Sequence, residues 1–172
     1  MMNTATNLQA APAIEQVKSL NLTGLDQFLT FILGAETYGI DILRVQEIKG
    51  WEEPTSLPTM PDYIKGVINL RGAIIPIVDL RQRFLLSNVT YDHTTVVIIV
   101  QVQQGDSGVR AVGIVVDGVS DVHDIDLNSL QPAPKLSETK IDGAYIKGLA
   151  TLGNKMVILL SVDELVNMGL FA

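Results

Sequence analysis

Beyond its first 26 residues, the chain alternates apolar and polar positions in short runs instead of following a helical period. Residues 27–33 and 36–43 are rich in β-branched and aromatic side chains and flank Gly34-Ala35, a hairpin signal. In the second run Tyr38, Ile40 and Ile42 fall on one face. Residues 49–62 contain Pro54, Pro58 and Pro61, which predicts an extended loop. Residues 64–70 and 73–78 predict another strand pair across Asn69-Leu70-Arg71-Gly72. Pro76 lacks an N–H, which places its strand at an edge or at a bulge. Asp79 is placed to cap a short helix running through Phe84.

The pattern then restarts. Residues 94–102 and 109–116 read as strands joined by the polar turn 103–108, and residues 124–144, with Pro132 and Pro134, read as a second long loop. Residues 145–152 and 155–160 pair across Gly153-Asn154, a tight-turn dipeptide. Ser161-Val-Asp-Glu164 is a capping box that opens a final helix over 161–169, closed by Gly169.

The recurrence extends to residue identity. Tyr38-Gly-Ile-Asp-Ile-Leu-Arg-Val-Gln-Glu-Ile48 matches Val112-Gly-Ile-Val-Val-Asp-Gly-Val-Ser-Asp-Val122 at an offset of 74. Tyr63-Ile-Lys-Gly-Val67 matches Tyr145-Ile-Lys-Gly-Leu149 at an offset of 82. The intervening loop has 14 residues (49–62) in the first copy and 22 (123–144) in the second, and the difference of 8 accounts for the change of offset. The chain is therefore read as an internal duplication: a tail over 1–26 with a helical turn around 14–20, then one domain over 27–168 made of two all-β subdomains, 27–90 and 91–160. Five short strands per copy suit a small closed barrel, which removes sheet edges.

Composition narrows the classes of function. Apolar residues make up 47% of the 172 and charged residues 18%, enough apolar surface to order a core and too little charge for a disordered chain. No cysteine is present, which excludes disulfide frameworks, zinc ribbons and cysteine nucleophiles and fits a reducing cytoplasm. The net charge of −7, with no Lys/Arg cluster, argues against nucleic acid and against an anionic membrane surface. No apolar run approaches the roughly 20 residues that span a bilayer, and the first 20 residues lack the basic stretch and apolar core of a signal peptide.

Candidate chemistry is sparse. The sequence holds no Gly-x-Ser-x-Gly elbow and no phosphate-binding glycine loop. His93 and His123 stand in no metal-ligand spacing and read as surface residues near strand ends. Asp117, Asp121, Asp124 and Asp126 are too loosely spaced for a calcium loop and read as solvated charge. Pro58-Thr-Met-Pro61 meets a minimal Pro-x-x-Pro pattern, but a stiffened loop feeding the next strand explains it better. The expectation is no metal, no cofactor and no catalytic centre.

The two copies control each other. Matched glycines, Gly39 with Gly113 and Gly66 with Gly148, point to positions the shared fold needs. Mismatches are freer to carry function. Where the first copy has Asn69-Leu-Arg-Gly72, the second is read as Leu152-Gly-Asn-Lys155, so Arg71 stands on a turn that the fold does without. Glu47, opposite Asp121 of the second copy, is near enough to pair with Arg71. The pair is either an ordinary surface ion pair or an interface charge.

Residues 38–50, with Tyr63-Ile-Lys-Gly-Val-Ile-Asn-Leu-Arg-Gly-Ala-Ile-Ile-Pro-Ile-Val-Asp-Leu-Arg81, closely resemble the CheW family of bacterial chemotaxis coupling proteins, as do the second-copy blocks at 112–122 and 145–149. The pattern Asn-Leu-Arg-Gly-x-x-x-Pro-x-x-Asp-Leu-Arg is specific to that superfamily, and the similarity covers residues 27–168. The resemblance implies two intertwined SH3-like five-stranded barrels. It also implies a cytoplasmic, non-enzymatic adaptor joining the histidine kinase CheA, through its regulatory domain, to the hairpin tips of chemoreceptors in membrane-associated arrays. Partner-binding positions of the family carry over to Val45, Glu47, Gly66 and Arg71, with Glu47 and Arg71 interacting; Gly113 and Gly148 match sensitive positions but are read as structural, and Gly39 is read as structural from the match between the copies. A kinase regulatory domain shares the double barrel, but no ATPase or phosphotransfer helix is present. A fusion to a receiver domain does not fit this length, and a small β-barrel enzyme lacks a convergent polar set.

Overall fold

The computed structural model describes residues 26–86, 89–132 and 145–166. The expected tail with its turn around 14–20, most of the second long loop and the end of the final helix at Gly169 lie outside the described residues. Ten strands are present: β1 (Asp26–Leu33), β2 (Glu36–Asp41), β3 (Val45–Gly50), β4 (Ile64–Leu70), β5 (Ala73–Asp79), β6 (Val96–Gln103), β7 (Val109–Val116), β8 (Gly118–Ile125), β9 (Ile146–Leu152) and β10 (Lys155–Leu160). A short helix follows β5 (Leu80–Arg83) and another follows β10 (Val162–Leu165). Both N-caps form: the Asp79 carboxylate accepts from the Arg81 N–H at 3.0 Å, and the Ser161 hydroxyl oxygen from the Glu164 N–H at 3.3 Å. The reciprocal half of the expected capping box does not, because the Ser161 N–H donates to the Tyr145 carbonyl at 2.8 Å instead.

The strands make two five-stranded sheets, in the orders β8-β1-β2-β10-β9 and β3-β6-β7-β5-β4. Element order repeats along the chain (β1–β5, then β6–β10), and replacing each strand by its counterpart converts one sheet order into the other. The expected subdomains 27–90 and 91–160 are repeats of sequence, not separate sheets. The first two strands of each repeat pair with the last three of the other. The crossing is made by two short parallel seams, Tyr38↔Ile158 on one side and Val78↔Ile114 on the other. Gly39 and Gly113 sit on these seams: a Cβ on Gly39 would lie 2.9 Å from Leu159, and one on Gly113 2.6 Å from Ile77.

Three cores result. The largest lies between the sheets and takes Leu29, Phe31 and Leu33 from β1 and Val96, Ile98, Val100 and Val102 from β6. The opposite faces of these strands feed a smaller core inside each sheet: Val97 and Ile99 with Ile77 and Val115 in one, Phe28 with Val157 and Leu159 in the other. Residues 96–100 are buried on both faces, which explains why they form an unbroken apolar run.

The structure revises three further expectations. Neither sheet closes through a continuous ladder. Each curls until one bridge spans its open side, Thr55↔Val67 in one sheet and Gln131↔Leu149 in the other. Pro76 is not on an edge: β5 lies between β7 and β4, and the missing N–H is tolerated because parallel pairing to β7 begins only at Ile77. The second long loop starts later than predicted, since Asp124 and Ile125 belong to β8.

The helices are pinned by ion pairs of opposite polarity. Arg81, on the first helix, reaches Asp117 at the β7–β8 junction at 2.9 Å. Asp163, on the second, reaches Arg44 in the β2–β3 junction at 2.6 Å. Each acid also accepts a backbone N–H from a hairpin turn or strand end, Asp117 from Gly34 at 2.7 Å and Asp163 from Gln103 at 2.8 Å.

Candidate functional site

The four residues carried over as partner-binding positions all lie on β3, β4 or the turn after β4, beside one open seam. The β4–β5 turn has two residues, Arg71 and Gly72, at φ +50° and +90°. Positive φ at both central positions defines a type I′ hairpin turn, whose twist suits the flanking strands. The Asn69 side-chain carbonyl accepts from the Gly72 N–H at 2.9 Å and holds the turn. A left-handed conformation costs an L-residue about 1–2 kcal/mol.

The register corrects the sequence match between the two tips. Leu70 pairs with Ala73 and Leu152 with Lys155, so Leu70 corresponds to Leu152 and Arg71 to Gly153. Gly153 sits at φ +64°. The second copy thus fills with glycine the position where the first keeps an arginine.

The Arg71 guanidinium forms an ion pair with Glu47 on β3, across the side of the sheet bridged by Thr55 and Val67. The Arg71 side chain is 67% exposed and that of Glu47 20%, so most of the arginine faces solvent even while paired. Val45 is 0% exposed in the central core. Gly66 is buried at φ +136°, and a Cβ there would stand 2.0 Å from the Thr55 carbonyl oxygen. The structure therefore brings Glu47 and Arg71 together at the surface, whereas Val45 anchors β3 and Gly66 makes room for the bridging loop. Gly148 has the corresponding place beside Gln131, with its Cβ position 3.2 Å from that carbonyl oxygen.

Next to this seam lies a buried polar network for which the sequence reading had no role. Asp79 is 0% and Arg81 3% exposed at the side chain. The Arg81 guanidinium donates to both Asp79 oxygens at 3.0 and 2.9 Å, to the Thr90 carbonyl at 2.7 Å and to Asp117 at 2.9 Å. The Tyr91 hydroxyl donates to Asp79 at 2.6 Å. Burial alone would lower the Arg81 pKa, but its hydrogen bonds to Asp79 and Asp117 and their charges outweigh it and hold the pKa above the usual value. Burial, then the bond to Asp79, raise the Tyr91 phenol above its ordinary value. The Asp-Leu-Arg ending of the motif at 79–81 was the available signal.

Among the described residues no cluster of three or more histidine or acidic side chains is placed to hold a metal ion, and no helix is long and apolar enough to cross a membrane. Fold and site together define a duplicated, mostly β protein whose two five-stranded sheets exchange strands and whose most distinctive surface group is a charged hairpin tip. The profile of the CheW-like domain matches residues 27–169, and the chain belongs to this family. It is 48% identical over 141 residues to the chemotaxis protein CheW of Klebsiella aerogenes, covering 82% of this chain and 81% of that one. It is 34% identical over 149 residues to the probable chemotaxis protein CheW of Rhizobium etli, covering 87% and 92%. Among solved structures it is similar to the scaffolding protein TtCheW from Thermoanaerobacter tengcongensis, with a TM-score of 0.74 and 34% identity over 85% of this chain and 95% of that one.

Proposed function

We propose that the chain is a non-enzymatic adaptor of bacterial chemotaxis. It works in the cytoplasm and joins the histidine kinase CheA, through the kinase's regulatory domain, to the hairpin tips of chemoreceptors in membrane-associated arrays. Family membership and the names of the relatives support the chemotaxis role. The observation that carries the site is Arg71, an exposed arginine kept in a left-handed conformation where the second repeat has glycine. Backbone strain retained at the surface points to function. Glu47 orients the guanidinium, and Val45 and Gly66 act through the shape of the seam.

The test is co-sedimentation of purified protein with receptor-containing membranes and kinase, beside a thermal melt. Arg71→Gly relieves the turn while removing the cation, so the melting temperature should hold or rise while co-sedimentation falls several-fold. Undiminished co-sedimentation, or a collapsed melt, would remove Arg71 from the contact surface.

A further inference from the structure

A cleft beside the same sheet has no part in the proposal above. Its volume is about 390 Å³, and Trp51, Glu53, Pro54, Ser56, Lys65 and Tyr91 line it. This falls within the roughly 300–1,000 Å³ of ligand-binding clefts. We propose that it binds an extended, proline-containing peptide segment with a basic residue next to the proline. The inference does not rest on the adaptor reading.

The floor is aromatic and already ordered. The Trp51 and Tyr91 ring centroids are 4.3 Å apart at 31°. Tyr91 is held by its bond to Asp79 and by the Arg81 guanidinium 4.8 Å from its ring centroid. The Trp51 backbone N–H donates to Thr95 at 3.0 Å. A ligand landing here orders little that is mobile, which lowers the entropic cost of binding. A polyproline II segment is itself preformed, and its rings pack well on aromatic faces.

Charge selects the flanking residue. The Lys65 ammonium is engaged, donating to Gln82 at 3.0 Å and to the Asp62 carbonyl at 3.4 Å. Glu53 is exposed and among the described residues makes no ion pair, whereas the neighbouring Glu52 is paired with Lys49 at 3.7 Å. Glu53 is therefore the carboxylate left to meet a cationic group of a ligand.

The second repeat shows that the fold does not demand this opening. Trp51 corresponds to Ile125 at the offset of 74, and Ile125 is 4% exposed within a core. Lys147, the counterpart of Lys65, lies 5.9 Å from the ring centroid of Phe28, which is 0% exposed. One sheet buries an isoleucine at the place where the other leaves an indole half-buried.

Trp51 is the sole tryptophan of the chain, so its fluorescence reports the cleft directly. The probe is a ten-residue peptide with a Pro-x-x-Pro core and one flanking arginine, compared with a proline-to-alanine and an arginine-to-glutamate version. A saturable change in emission is expected, with half-saturation below about 1 mM, and at least roughly fivefold weaker binding for each control peptide. Glu53→Lys, with an unchanged circular dichroism spectrum, should weaken the parent peptide to a similar degree. No saturable change, equal binding of either control, or full binding to Glu53→Lys would overturn the proposal.

Discussion

At Arg71 two energies oppose each other. The left-handed backbone costs about 1–2 kcal/mol. An ion pair with most of the arginine in solvent returns under about 1 kcal/mol. Stability alone therefore favours glycine, which the second repeat uses. The duplication made this contrast legible in the sequence, although the match was one position out until strand register fixed it. Gly66 was legible in the same way, as a glycine matched in both copies, and the structure supplies the reason: the Thr55 carbonyl passes over β4 where a Cβ would stand. The burial of Val45 in the central core is reported by no local pattern. Tyr91 offers a separate test at this scale. Its folded pKa lies above the ordinary phenol value of about 10, so past pH 10 the unfolded chain sheds a proton that the folded chain retains. Stability should then fall as pH rises through that window. Tyr91→Phe should flatten this part of a pH-stability curve measured by urea denaturation; an identical alkaline slope would refute the assignment.

Among the elements, the four hairpins were readable from alternation and turn residues, and both caps from Asp79 and Ser161. The edge strands β3 and β8, which belong to no predicted hairpin, were not. Their burial does not alternate cleanly, because a bulge interrupts the pairing of each, between Val45 and Glu47 on one side and between Leu29 and Phe31 on the other. Of the two places expected for Pro76, the edge fails, while a bulge does interrupt the β4–β5 ladder at the next pairs, between Ile64 and Gly66; position in a sheet depends on where a parallel partner begins, which a local sequence does not show. The helix after β5 rests on the buried Asp79–Arg81 pair. Removing one member of such a pair leaves an uncompensated charge and costs about 3–5 kcal/mol. Arg81→Met should lower the urea midpoint accordingly, and more than Arg44→Met, whose partner is partly exposed. Equal losses would mean that the buried network contributes no more than a surface pair.

Considered whole, the molecule has two sequence repeats but no repeat that owns a sheet. Element order and the duplication were visible in the sequence, and the resemblance implied intertwining. The parallel seams that fasten the exchange span 120 residues (Thr37↔Val157) and 36 residues (Val78↔Ile114), beyond the reach of periodicity. A single cooperative transition follows, because neither sheet can melt without stripping strands from both repeats. Residues 1–90 and 91–172 made as separate chains should each remain largely unfolded, and should regain native circular dichroism when mixed. A stable fold in either half alone would contradict the exchange.

The opposed ion pairs give this exchange a direction. If each repeat folded onto itself, the helix of the first would dock at its own β2–β3 junction and set Arg81 against Arg44. The helix of the second would meet its own β7–β8 junction and set Asp163 against Asp117. Both contacts would be repulsive, one of them deep in the protein. With uncharged residues at these places the self-paired and exchanged topologies would be close competitors. As the chain stands, its charge pattern steers folding towards the exchanged form and away from a mirror of itself that the hydrophobic pattern would accept equally well.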